Sequence, residues 1–275
     1  MTTATKSNKK LPVGIKQKEK VKLFDEKFKW PGTNWMITFD GFDFQKWVYN
    51  ALPMCCDVKP LNEAKARKVG INVGEFVFYM RPLPMWRWGN HWEDTGYFGI
   101  PITSELIPKR VNLEIYRNRQ TAYCGFDTEI NIPILAKPDR RGKLQPWMSL
   151  TPNEVLSQRG QIRRAKKNTA MAGLGLGWAA RKVLERKQVD HLTVYEKSQD
   201  IIDMFGKSLV CDYPDKVTLV CADAYEVDWH QHDVSLWDIW SCWGNAAWDN
   251  EFAKIRYTLE QDGRICVGWG QGVQK

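Results

Sequence analysis

The sequence predicts an α/β protein: a parallel sheet with helices on both faces, preceded by a β-leaning N-terminal region. Three observations carry this. From about residue 146 onward, strand-like and helix-like segments alternate, the pattern of successive strand–helix units. The glycine-rich stretch Gly173-Leu174-Gly175-Leu176-Gly177 falls between one such strand and the next helix. Before residue 146, β-branched and aromatic runs mix with turn formers and offer little helical periodicity.

Three zones follow in order, with no internal repeat. Residues 1–30 are a lysine-rich tail, expected to be flexible and solvated. Residues 31–145 read as an irregular, β-rich domain. "INVGEFVFYM" (71–80) and "VNLEIYRNRQTAYCGF" (111–126) have strand character, "RPLPMWRWGNHWEDTGYFGIP" (81–101) is rich in turn formers, and Leu61–Val69 reads as a short helix. After the basic loop "KPDRRGK" (137–143), residues 146–275 form the third zone. Thr151 is placed as an N-cap, with Pro152 at the first helical position and Glu154 at the third, a capping-box start. Strands are then expected at Thr169–Ala172, Leu192–Tyr195, Val217–Cys221, Val234–Trp240 and Arg264–Val267. Helices are expected at Trp178–Lys187, Ser198–Phe205 and within "NAAWDNEFAKIRYTLEQDG", ending at Gly263.

Charge and cysteines bound the class. The net charge is +8, but residues 1–29 hold nine lysines against three acids, so the rest of the chain carries only +2. A nucleic-acid role therefore rests on the tail, as nonspecific contact with an acidic surface. The seven cysteines include no C-x-x-C pair, which fits reduced thiols in a cytoplasmic protein rather than a disulfide framework or a zinc site. No apolar run approaches 18 residues and no signal-peptide core is present, so no membrane association is expected.

A glycine-rich turn between a strand and a helix marks a cofactor loop. Gly173 permits the sharp turn, and Gly175 leaves the backbone open to a ligand. Dinucleotide sites use G-x-G-x-x-G or -A. Here Gly177 makes the spacing G-x-G-x-G and Trp178 takes the dinucleotide position, which suits a cofactor without phosphates. Glu196 ends the next strand, 23 residues after Gly173. A carboxylate there can accept both hydroxyl protons of a ribose. Asp223 ends the third strand, where it can accept from an adenine amine.

With these residues in place, residues 147–275 resemble the class I S-adenosylmethionine-dependent methyltransferase fold, most nearly its spermidine-synthase-like branch. "GLGLG" matches the first motif, "VYEKS" (194–198) the acidic second strand, and "CADAYE" (221–226) the Gly-Asp-Ala segment. "HDVSLWDIWS" (232–241) aligns with the branch's acceptor motif, placing Asp238 at its first aspartate. "SLTPNEVLSQRGQI" (149–162) resembles the Tyr-x-Glu helix, with Glu154 at the glutamate. The resemblance implies a Rossmann-like sheet and S-adenosylmethionine, or its decarboxylated form, as cofactor. Gly173, Gly175, Gly177, Glu196, Asp223 and Ala224 would bind it.

The departures are specific. The motif's second aspartate is Ser241, which weighs against aminopropyl transfer. No Asn/Asp-Pro-Pro-Tyr motif of amino-group methyltransferases is present at 238–241. The sequence runs about eight residues past the fifth strand, so either the sheet is C-terminally shortened or the N-terminal zone completes it. The expected activity is methyl transfer to a small-molecule or other unidentified acceptor. The alternatives are aminopropyl transfer and a non-catalytic cofactor-binding or interaction module. Asp238 is the candidate base or orienting acid. Glu154, Trp240 and Trp243 are candidate substrate contacts, the two indoles as an aromatic wall or as core. His230 and His232 form an isolated H-x-H and are assigned no metal. His91 falls in a loop, and Met85–Trp92 has the composition of a base-stacking surface or a small core.

Overall fold

The computed structural model describes residues 20–21, 36–39, 41–83, 123–126, 128–150, 152–240 and 245–270. The tail apart from Lys20–Val21, the run Met85–Trp92 with His91, and Thr151, Ser241 and Trp243 lie outside them. The chain divides into two compact units, Met1–Gly41 with Met85–Thr128, and Phe42–Pro84 with Glu129–Lys275.

In the first unit, strands β1 (Lys20–Val21), β2 (Met36–Phe39) and β5 (Tyr123–Phe126) form a parallel sheet in the order β1-β2-β5. The second unit holds everything else. From Phe42 it includes helix α1 (Gly41–Ala51), whose Phe44, Val48 and Ala51 are buried together with the following Leu52. This i, i+4, i+7, i+8 spacing defines one apolar face. Helix α2 (Glu63–Val69) starts where Asn62 accepts the Lys65 N–H at 2.9 Å.

An antiparallel sheet follows, ordered β3-β4-β6-β7: β3 (Ile71–Val73), β4 (Phe76–Leu83), β6 (Ile130–Pro138) and β7 (Leu144–Ser149). Neither β6 nor β7 is legible as a strand from the sequence, because Pro133, Pro138 and Pro146 read as breakers. The sheet tolerates them: β7 is an edge strand, and its register with β6 shifts between Leu135 and Ala136. β7 also crosses the domain boundary expected at 145/146. The unit boundary lies elsewhere because this sheet shares a core with the parallel one. Phe78 packs edge-on to Phe205 at 5.4 Å between ring centroids, and Trp47 of α1 packs against Trp178 at 5.8 Å.

The remaining elements are α3 (Pro152–Ile162), β8 (Lys167–Ala172), α4 (Trp178–Leu184), β9 (Val189–Glu196), α5 (Gln199–Ile201), α6 (Lys207–Asp212), β10 (Val217–Cys221), β11 (Val234–Trp237), α7 (Asn250–Gln261) and β12 (Ile265–Gly268). A π-helical turn, Ile202–Gly206, joins α5 to α6 and carries the helix past the Phe205 end expected from sequence. β11 stops at Trp237, three residues short of the expected end. The five strands form one parallel sheet in the order β10-β9-β8-β11-β12, the expected Rossmann-like arrangement. The N-terminal zone adds no strand to it among the described residues. Tyr195, Trp229, Trp237 and Phe252 are buried in one cluster beside this sheet. No helix of the described residues is long and apolar enough to cross a membrane.

Candidate functional site

The strand order reverses between β8 and β11, and ligands of open α/β sheets bind beyond the strand carboxyl ends at such a switch point. Gly173 follows β8 and Asp238 follows β11. The Gly173 N–H donates to the Tyr195 carbonyl at 2.8 Å, and the Asp238 N–H to the Ala172 carbonyl at 2.9 Å. Gly173 has φ +91°, and a Cβ there would lie 2.4 Å from the Asp238 carbonyl oxygen. Only glycine lets the two strand ends approach so closely.

Glu196 ends β9 beneath the same loop. One carboxylate oxygen accepts the Leu174 N–H and the other the Ser198 N–H, both at 2.9 Å. Each oxygen keeps a lone pair for an outside donor. Asp223 follows β10. It accepts the Tyr225 N–H at 3.1 Å through one oxygen and pairs with Lys197 at 2.6 Å through the other. The Lys197 ammonium holds its carboxyl below the usual range, helped by the Tyr225 N–H. Ala224, next in the chain, is buried and accepts the Trp229 indole N–H at 2.8 Å.

These groups open onto a cleft of about 550 Å³, within the range of small-molecule sites. Its opposite wall comes from the antiparallel sheet, through Glu75, Phe76, Leu135, Trp147 and Met148. Phe76 and Trp147 pack with tilted rings, 5.7 Å between centroids, with the Lys137 ammonium 5.9 Å from each ring and paired to Glu75. Among the described residues, the carboxyls of Glu75, Glu196, Asp200, Asp223 and Asp238 line the cleft against the single ammonium of Lys197. Tyr225 is held in the lining by a hydrogen bond to Asp249, which also accepts the Trp240 indole N–H at 2.9 Å.

Gly175, which lines the cleft, has φ +54° and lies against Met148. The room left by the missing side chain is filled by Met148, whose sulfur lies 2.1 Å from where a Cβ would stand. The Leu176 N–H donates to that sulfur at 3.1 Å. The thioether is a weak acceptor.

Behind the loop, Gln158 of α3 joins two carboxyls. Its Nε2 donates to Glu154 at 3.0 Å and to Asp238 at 2.5 Å. Burial pushes both carboxyls well above their usual range, and the Asp238 charge raises Glu154 further. The three residues line a second, small cavity of about 20 Å³ together with Gly177 and Trp178. Asp238 faces both this cavity and the cleft.

Of the residues expected from sequence, Gly173, Gly175, Glu196, Asp223, Ala224 and Asp238 meet in the cleft lining. Gly177 and Glu154 lie one layer behind, so Glu154 reaches the cleft through Gln158 and Asp238 rather than as a direct contact. Trp240 lines neither cavity. Its indole packs on Phe252 at 5.1 Å and is tied to Asp249. His230 pairs with Asp262 at 2.7 Å, while His232 meets the Tyr195 hydroxyl at 2.9 Å. Sequence reasoning misses Gln158, Met148, Phe76 and Trp147. The only signal for Gln158 is its place four residues after Glu154, on the same helix face.

No protein-family model matches the chain, and the comparison with curated proteins finds no match. Solved structures do match part of it. A dimethyladenosine transferase from Plasmodium falciparum is 12% identical over 43% of this chain and 41% of its own, with a TM-score of 0.33. A spermidine synthase from Thermotoga maritima is 20% identical over 46% and 49%, with a TM-score of 0.31. The 23S rRNA methyltransferase ErmE is 18% identical over 38% of each chain, with a TM-score of 0.29. The matches thus span less than half of each of these solved chains. By its own strand order and by the loop and acid positions at its strand ends, the five-stranded parallel sheet of this chain is Rossmann-like.

Proposed function

We propose that the protein is an S-adenosylmethionine-dependent transferase, and that the group it transfers is a methyl. The observation that carries this reading is the convergence of Gly173, Glu196, Asp223 and Asp238 on one cleft at the switch point. The residues fit the cofactor chemically. Glu196 keeps lone pairs for the two ribose hydroxyls, and Asp223, kept ionised by Lys197, can accept from the adenine amine. The excess of carboxyls suits a ligand bearing a sulfonium and an ammonium.

When bound, S-adenosylmethionine supplies a methyl carbon made electrophilic by its positive sulfur. The protein's part is to bind, orient and exclude water. Glu196 and Asp223 fix the nucleoside end, leaving the reactive end toward Gly173 and Asp238. Asp238, which lines both the cleft and the inner cavity, is the group we assign to hold the acceptor and take its proton. Phe76 and Trp147 form an apolar wall opposite, where an acceptor can pack away from water.

Calorimetric titration with S-adenosylmethionine and with S-adenosylhomocysteine tests the reading. Micromolar binding of either, weakened in Glu196→Ala, supports it; binding of neither overturns it. Titration of decarboxylated S-adenosylmethionine divides methyl from aminopropyl transfer. Preferential binding of the decarboxylated form overturns the methyl assignment.

A further inference from the structure

The sequence alone puts any nucleic-acid contact on the lysine tail, because residues 30–275 carry a net charge of only +2. The fold gathers charge that the sequence scatters. Residues 62–68 and 137–143 hold seven cations against the two acids Glu63 and Asp139. The first segment is the N-cap and most of helix α2, and the second is the turn from β6 to β7. They meet at Gly142, where a Cβ would stand 3.4 Å from Nη2 of Arg67. Lys65, Arg67, Lys68, Arg140, Arg141 and Lys143 are all exposed. One oxygen of Asp139 accepts the Arg141 and Lys143 backbone N–H groups at 2.9 and 2.8 Å, which fixes the turn.

The same hairpin carries the aromatic wall of the cleft. Lys137 on β6 pairs in register with Gln145 on β7, and its ammonium is 5.9 Å from the rings of both Phe76 and Trp147. Trp147 lines the cleft and is 42% exposed. It follows Lys143 along β7 by about 13 Å of extended chain. Cations leading to an exposed indole form the arrangement that tracks a phosphate backbone and stacks a base. The carboxyls of Glu75, Asp200 and Asp223 in the cleft lining repel phosphate, so a backbone stays on the hairpin and only a base reaches the cleft mouth. We propose that the face formed by α2 and the β6–β7 hairpin binds single-stranded nucleic acid. Arg67, Arg140, Arg141 and Lys143 hold its phosphates, and one unpaired base stacks on Trp147. The surface needs no cofactor, so the inference goes beyond the transferase reading and does not depend on it.

The test is fluorescence anisotropy of the full chain with labelled single-stranded RNA and DNA of one mixed sequence, across a salt series. The two arms show which sugar is preferred, and binding of either serves. Arg140→Glu combined with Arg141→Glu should weaken binding about tenfold or more at low salt. It should also lower the log–log salt slope by about 1.4, the value of two single-strand phosphate contacts. Trp147→Leu should weaken binding about tenfold with the slope unchanged, because stacking releases no counterions. The control is a second cationic run, Arg163, Arg164, Lys166 and Lys167, at the amino end of β8 and so at the opposite end of the strand from the cleft. Arg163→Glu combined with Arg164→Glu makes the same charge change there and should alter affinity by no more than about twofold. Equal losses in the two charge variants, loss in neither, or no binding of RNA or DNA overturns the inference. So does a hairpin variant that loses binding to phosphatidylserine vesicles while keeping the oligonucleotides. Photo-crosslinking of the unaltered protein to thiouridine-containing RNA gives a check that no variant's folding can affect. The crosslinked peptide should contain Trp147, and crosslinks confined to residues 1–29 overturn the inference.

Discussion

Asp223 and Asp238 occupy equivalent places and are pushed in opposite directions. Each follows the carboxyl end of a parallel strand, and each lines the same cleft. Asp223 faces a lysine and a backbone N–H, which favour its charge. Asp238 faces an amide shared with a second carboxyl, in surroundings that penalise charge. Position in the fold thus decides where an acid stands, while its donors decide what it does. The first carboxyl is held toward its charged form and the second away from it.

The most severe way to break this contrast is Gly173→Ala. The new Cβ would meet the Asp238 carbonyl oxygen at 2.4 Å in a backbone conformation with φ +91°. A loss of about 3 kcal/mol or more is expected in chemical denaturation, because strain and backbone overlap add. Glu196→Ala comes next. It removes the acceptor of two backbone N–H groups as well as the ribose contact proposed above. S-adenosylmethionine binding should weaken by about 100-fold, the scale of two charge-assisted hydrogen bonds lost together.

The third effect is one of pH, and the two aspartates enter it with opposite signs. Raised carboxyls bind more protons in the native state than in the unfolded one, so they cost stability as pH rises. For Glu154 and Asp238 this cost begins above the ordinary carboxyl values of 4.5 and 3.8 and grows toward neutrality. Glu154→Gln should therefore flatten the decline of melting temperature between pH 5 and pH 8. A parallel decline in wild type and variant would remove the basis for the contrast. Asp223, with its lowered value, adds stability that is present above 3.8 and is lost as pH falls through its native value. Asp223→Asn should remove that acid-side loss and leave the neutral-to-alkaline profile alone.

The smallest effect is expected at Lys197, whose side chain is 79% exposed. Lys197→Met should leave the melting temperature unchanged within error, as exposed ion pairs contribute little. The Asp223 carboxyl should nonetheless move back toward its ordinary range in a carbon-13 titration.

Much of the parallel sheet was legible from the chain. β10 falls at Val217–Cys221 as expected, and β8, β9 and β12 differ only at their ends. These strands are short apolar runs bounded by helices, a local pattern that survives reading one residue at a time. The antiparallel sheet was only half legible. Its β3–β4 hairpin shows in "INVGEFVFYM", whereas the prolines of β6 and β7 conceal two strands that neighbouring strands stabilise. Helix α1 is not legible in sequence, because the aromatic residues of its stretch suggest strands. Among the site residues, the glycines and acids at strand ends could be placed, since spacing from a strand fixes them. Trp240 could not, because an indole next to a site and an indole in the core look alike in sequence.

The chain by itself determined a Rossmann-like sheet, a glycine turn of G-x-G-x-G spacing, and acids at the ends of its second and third strands. Only the tertiary structure decided that Met148 rests on Gly175, that Phe76 and Trp147 face the cleft, and that Gln158 bridges Glu154 to Asp238, 80 residues beyond it. The physical reason is range. Strand and turn preferences are local and written in neighbouring residues. The charge of a carboxyl is set by whatever donors the folded chain brings within about 3 Å of it.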